Sequence, residues 1–176
     1  MLSEQITSAL QRLHTVLQRH PASGRVRDEP ALARWLGDAQ VATRHANGCE
    51  LVTDLPAALG GSGERVSPGW LLRAALASCM ATRIAMLAAE QGIALQHLEV
   101  EAHSQTDLNG LLGLSGEGGE PPAGPFAVHL LVRIGAAGQA PDALRALVER
   151  SQALSPVSSA IERPVPVTLE IVGVAA

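Results

Sequence analysis

Apolar positions along this chain recur with different periods in different stretches. Leu2, Ile6, Leu10, Leu13 and Leu17 stand three or four residues apart, which predicts an amphipathic helix over 2–19. His20-Pro21 and Ser23-Gly24 end it, so residues 1–24 read as a helical arm and 25–176 as the main domain. Residues 25–37 show no clear period, and Pro30 argues against a central strand there. Asn47-Gly48 is the signal of a two-residue I′ turn, joining a strand at 38–46 to one at 49–54. Counting outward from that turn pairs Ala46 with Cys49, His45 with Glu50 and Arg44 with Leu51.

A Gly-rich stretch, 55–66, leads to Ser67-Pro68, an N-cap followed by proline at the first helical position. The helix it starts runs to Glu90-Gln91 and stops at Gly92, a length on the order of 35 Å. It is apolar almost all round, as a buried central helix is. Period-two alternation then predicts a strand at 95–107, with Leu98, Val100 and Ala102 on one face and His97, Glu99, Glu101 and His103 on the other. A Gly/Pro-rich loop covers 108–125. Val128, Leu130, Val132 and Ile134 mark a strand from Phe126, and Leu144, Leu147 and Val148 mark a helix over 141–153. Ser155-Pro156 opens a short helix, and 165–172 alternates as a closing strand. Hairpin, helix, strand, strand, helix, strand is an α+β order with a mainly antiparallel sheet.

Composition narrows what such a domain does. With 176 residues, 47% apolar and 17% charged, there is material for one well-filled core. Trp35, Trp70 and Phe126 are the only aromatics, so Ala, Leu, Val and Ile build it. All 13 basic residues are arginine, which excludes lysine Schiff-base chemistry. The net charge of −4 and the lack of a basic, aromatic-rich patch argue against nucleic acid as a partner. Arg73 and Arg83 interrupt the longest apolar run, arguing against a membrane span. No secretory signal opens the chain and only Cys49 and Cys79 are present, so a reduced cytoplasmic setting is expected.

Cys79, midway along the long helix, is the first candidate for chemistry. Arg83 lies one turn on, near enough to favour the nucleophilic thiolate, whereas burial works against it. The competing reading is a small core hydrophobe. Cys49 beside the hairpin turn is a lesser candidate. His97, Glu99, Glu101 and His103 lie in a row, which displays side chains rather than converging them on an ion, so no metal is expected. His45 opposite Glu50 reads as a cross-strand ion pair. The loop LGGSGERVSP lacks the lysine and spacing of a phosphate-binding loop, and no cofactor is expected.

The run TDLPAALGG…SPGWLLRAALASCMATRIAMLAAEQGI resembles the OsmC/Ohr superfamily, whose central helix carries a reactive cysteine. LEVEAHSQTDLNGLLGL resembles the strand that follows, and ALSPVSSAIERPVPVTLEI the C-terminal helix and strand. The likeness spans about 38–176. It implies an OsmC-like fold, an antiparallel sheet packed around the long helix in an intertwined homodimer with two sites at the interface. It also implies thiol-dependent reduction of organic hydroperoxides, a response to oxidative stress, with Cys79 as the attacking thiol.

Two positions depart from the family's pattern. Ser155, before Pro156, stands where the second cysteine is usual, and Gly69 where a glutamate would hold an arginine over the thiolate. Arg44, Arg65 and Arg83 are the candidates for that arginine. The expectation is a single-cysteine reaction at Cys79 on an apolar substrate, with an external thiol as reductant. The alternative is a non-catalytic dimeric module that binds an apolar small molecule.

Overall fold

In the computed structural model, residues 2–115, 119–163 and 165–173 are described. Helix α1 (Leu2–Arg19) is followed by strands β1 (Leu32–Gly37), β2 (Gln40–Arg44) and β3 (Glu50–Thr53), then by the long α2 (Pro68–Glu90). The second half runs β4 (Leu95–Gln105), α3 (Leu108–Leu112), β5 (Phe126–Ala136), α4 (Pro141–Ala153) and α5 (Pro156–Glu162). Both sheets are antiparallel: β1-β2-β3 and β4-β5. The α+β class and the long apolar helix are as the sequence predicts, but α2 is buried along one side only, through Leu76, Met80, Ile84, Leu87, Ala88 and Ala89, while Trp70 and Leu72 are exposed.

Local chemistry sets the limits of α2. Ser67 accepts a hydrogen bond from the Trp70 N–H, and Pro68 occupies the first helical position, where no N–H is needed. At the far end Gly92 takes φ +68°, which lets the Ile93 N–H reach the Ala88 carbonyl at 2.8 Å and close the helix. Met80, Ile84, Leu87 and Ala88 of α2 form the core with Leu147 of α4. Leu98 and Val100 of β4 and Leu130, Val132 and Ile134 of β5 pack against it. Each large apolar side chain so buried contributes about 1.5–3 kcal/mol. Helix α1 lies against the end of α2, where the Thr7 hydroxyl donates to the Ala89 carbonyl at 2.9 Å.

Four further expectations need correction. Residues 32–37, left without a period, form β1, paired with β2 through a turn at Asp38. The hairpin register differs by one residue from the count: Arg44 faces Glu50 and Thr43 faces Leu51. The loop is Ala46-Asn47-Gly48, with the His45 N–H bonded to the Cys49 carbonyl. Gly48 takes φ +92°, and the Asn47 side-chain oxygen accepts from the Cys49 N–H, so the turn holds three residues rather than two. The 108–125 stretch contains α3, capped by Asp107. Residues 165–173 form no strand. Their backbone pairs with neither sheet, and Val165, Val167, Leu169, Ile171 and Val172 stand 64–92% exposed.

Candidate functional site: a thiol and a hydroxyl between three helices

Helices α4 and α5 are one chain segment broken at Leu154-Ser155. Ser155 restarts the helix as its N-cap, and Pro156 fits the first position. Both helices pack on α2, which brings the break against the middle of that helix. Ser155 is completely buried, and its Oγ lies 3.3 Å from the Sγ of Cys79. The same oxygen accepts from the Ser158 N–H at 3.4 Å, so its own proton is free to point at sulfur. Cys79 is partly exposed and carries no disulfide, and its hydrogen-bond partner is this hydroxyl.

The arginines are arranged differently from the expectation. Arg83 extends along α2 away from Cys79, its Nη2 lying 3.8 Å from Glu90 Oε2, and its buried Nε has no hydrogen-bond partner among the described residues. His14 of α1 approaches the other oxygen of Glu90 at 3.9 Å. Arg44 is ion-paired to Glu50 on the exposed hairpin. Arg65 is exposed in the glycine loop, where its charge acts on Asp54. Sequence reasoning passed over Arg73, whose Nη1 donates to Ser104 Oγ at 3.3 Å. A Cβ on Gly69 would lie 3.9 Å from that nitrogen, so the i, i+4 spacing from Gly69 was the available signal. The structure thus joins Cys79 with Ser155, and leaves Gly69 beside Arg73.

The loop before α2 is organised by Asp54, buried at the end of β3. Its carboxylate accepts from the Leu55 N–H at 2.7 Å, the Ser62 N–H at 2.9 Å and the Ser62 hydroxyl at 2.5 Å. The Ser62 hydroxyl, then the two N–H groups and the charge of Arg65, hold this carboxyl below its usual range against the opposing effect of burial.

On the outer face of β4-β5, Arg133 bridges Glu99 and Glu101, and His103 approaches Glu101 at 3.2 Å. The hydrogen bond and charge of Arg133 lower the Glu101 carboxyl. Among the described residues no three His, Cys, Asp or Glu side chains converge on a metal position. Cys49 is exposed at the hairpin end, and the pair expected there between His45 and Glu50 is replaced by Arg44–Glu50.

A family profile described as OsmC-like protein matches residues 61–170, from the glycine loop to the segment beyond α5. The chain belongs to the OsmC-like protein family. Solved structures of similar fold include an organic hydroperoxide resistance protein OsmC from Legionella pneumophila, 23% identical. That likeness covers 79% of this chain and 92% of that one, with a TM-score of 0.56. An OsmC-like protein from Mycoplasma pneumoniae is 13% identical over 80% and 91% of the two chains, with a TM-score of 0.66. A third, an organic hydroperoxide resistance protein from Elizabethkingia anophelis, is 17% identical over 80% and 92%, with a TM-score of 0.59. No curated protein sequence matches this chain. At these identities the likeness is one of fold, and residues 1–60 lie outside the span that the family profile matches.

Proposed function

We propose that this OsmC-like chain is a single-cysteine thiol peroxidase acting on apolar organic hydroperoxides at Cys79. The observation that carries the reading is the Ser155 hydroxyl directed at the Cys79 sulfur from a fully buried position. A hydroxyl donor stabilises a thiolate without being able to form a disulfide with it. In the reaction the thiolate attacks the outer peroxide oxygen, the O–O bond breaks, and the alkoxide leaves and takes up a proton as alcohol. Cys79 is left as a sulfenic acid. An outside thiol then attacks that sulfur and releases water, and a second thiol frees Cys79 as the reductant becomes a disulfide. Two thiols are consumed per peroxide, which suits a reducing compartment, and we infer a cytoplasmic one.

The active form in this proposal is a homodimer. Val167, Leu169 and Ile171 are more than 80% exposed, and Leu32, Trp35 and Leu36 of β1 are also exposed, apolar surface of the kind that marks an interaction site. A second copy of the same chain would cover it.

The test offers cumene hydroperoxide with dithiothreitol to the wild type and to Cys79→Ser. The expected result is peroxide loss matched by dithiol oxidation, abolished in the variant, with a sulfenic acid trapped at Cys79. Absence of both turnover and sulfenic acid would leave the second reading, a dimeric module that binds an apolar small molecule. Glycine at 69 and serine at 155 favour that reading, since each removes a reactive or charged side chain from the family's pattern.

A further inference from the structure

One helical turn from the Cys79–Ser155 pair, whose own residues do not line it, lies a cavity of about 320 Å³, within the size range of small-molecule sites. It is bounded by β5 and by the helices that carry the pair. Leu76 is one turn before Cys79 on α2, and Ser158 is one turn after Ser155 on α5. Val128, Leu130 and Ile161 supply further apolar walls.

Four of the eight lining residues are polar, His129, Gln152, Ser158 and Glu162, and they are unequal. Ser158 is 3% exposed, and its Oγ has no hydrogen-bond partner among the described residues. Its neighbours show what a satisfied serine looks like here: Ser151 donates to the Leu147 carbonyl at 2.7 Å, and Ser155 bonds to Cys79. A buried hydroxyl left without a partner destabilises a fold, so its presence on a cavity wall points to something that bonds it there. Glu162 is the acidic group at the cavity, exposed at its edge, with one oxygen accepting from the Gln152 amide at 3.2 Å and the other without a partner among the described residues. Gln152 neutralises no charge. His129 borders the cavity from β5, but it pairs with His103 across the strands, and its ring lies beside that residue's on the outer face, centroids 6.2 Å apart.

We propose that this cavity binds an apolar molecule whose polar end is a neutral or cationic hydrogen-bond donor, held between Ser158 and Glu162, and that it rejects carboxylates. The apolar walls take the body of the ligand. A ligand hydroxyl or ammonium donates to the free Glu162 oxygen, and the hydroxyl oxygen accepts from the Ser158 O–H. A carboxylate brings no donor and sits against a like charge. That the cavity serves the Cys79 reaction rests on the function proposed above, whereas the binding itself does not. For the reaction, the selected substrates are then neutral hydroperoxides rather than those with an acid tail.

The experiment measures binding of 3-phenylpropanol, 3-phenylpropylamine and 3-phenylpropanoate to the full chain by calorimetry at about pH 8, where the amine is cationic and the acid is ionised. The alcohol and amine are expected to bind, and the carboxylate to bind at least about tenfold more weakly. Ser158→Ala should weaken the alcohol about tenfold while leaving the thermal midpoint of the free protein unchanged or higher, a split that a purely structural hydroxyl would not give. Glu162→Gln should abolish any preference for the amine over the alcohol. Equal binding of all three, binding of none, unchanged affinity in Ser158→Ala, or a lower midpoint in that variant each overturns the proposal. Because no step of this measurement uses peroxide, loss of turnover with binding intact would count against the peroxidase reading alone.

Discussion

Ser155 Oγ and Cys79 Sγ, 76 residues apart in the chain, stand 3.3 Å from each other. A disulfide needs its sulfurs at about 2.05 Å, a short closure for a residue at a helix start. Ser155→Cys should therefore cross-link to Cys79 under mild oxidation. Free-thiol titration should then find Cys49 alone, and peptide mapping should find the 79–155 bridge. Failure of any bridge to form would mean that the two side chains do not meet in solution.

Removing the hydroxyl separates its two roles. Ser155→Ala takes the donor from the Cys79 sulfur and the cap from α5, since Ser155 Oγ also accepts from the Ser158 N–H. The cap is worth about 1 kcal/mol, read in a denaturant melt. The donor is read separately, as a severalfold slower alkylation of Cys79 by iodoacetamide at neutral pH. An unchanged alkylation rate would remove Ser155 from the site.

Asp54 gives the loop before α2 a pH dependence. Its carboxyl is depressed in the folded chain, chiefly by the Ser62 hydroxyl, so the stabilisation is complete above the ordinary carboxylate value of about 3.9. It is lost as the pH falls through the lower folded value. Asp54→Asn should be less stable at neutral pH and should lose less on acidification between about pH 5 and pH 2. Glu101, lowered by Arg133, keeps some of the slope in the variant. Melting temperatures that fall in parallel for the two proteins would contradict this account.

Gly61 is the tightest point of the same loop. A Cβ there would lie 2.0 Å from the Leu55 carbonyl oxygen and 2.6 Å from an Asp54 carboxylate oxygen. Gly61→Ala should therefore break the Asp54–Ser62 contacts and cost about 1–3 kcal/mol. Gly48→Ala serves as a comparison: it has open space and is strained only by its φ of +92°. Hydrogen exchange at the Ser62 and Leu55 amides should rise in the first variant and stay constant in the second.

Legibility in the sequence followed the range of the interactions involved. Period and capping residues gave α2, β4, β5 and α4 nearly to the residue, because burial on one face and a local cap decide them. The hairpin was misread by one position, since Asn47 bonds to the Cys49 N–H and turns an apparent two-residue loop into three. β1 was hidden because it is exposed through Leu36 and gains its order from pairing with β2, not from a buried face. At the site, the resemblance drew attention to Ser155, but its contact with Cys79 is set by how α5 packs on α2. Ser158 carried no signal at all, because an unsatisfied hydroxyl is a property of its surroundings.

The extended stretch at 165–173 also has a consequence for timing. The buried core draws on residues between Ala42 and Ser158, all of which leave the ribosome before Val165 does. The body can therefore close without the stretch, in an interval before anything covers Val167, Leu169 and Ile171. During that interval the chain carries a bare, branched, strand-prone ribbon. Such a ribbon is an aggregation hazard that the stability of the core does not remove.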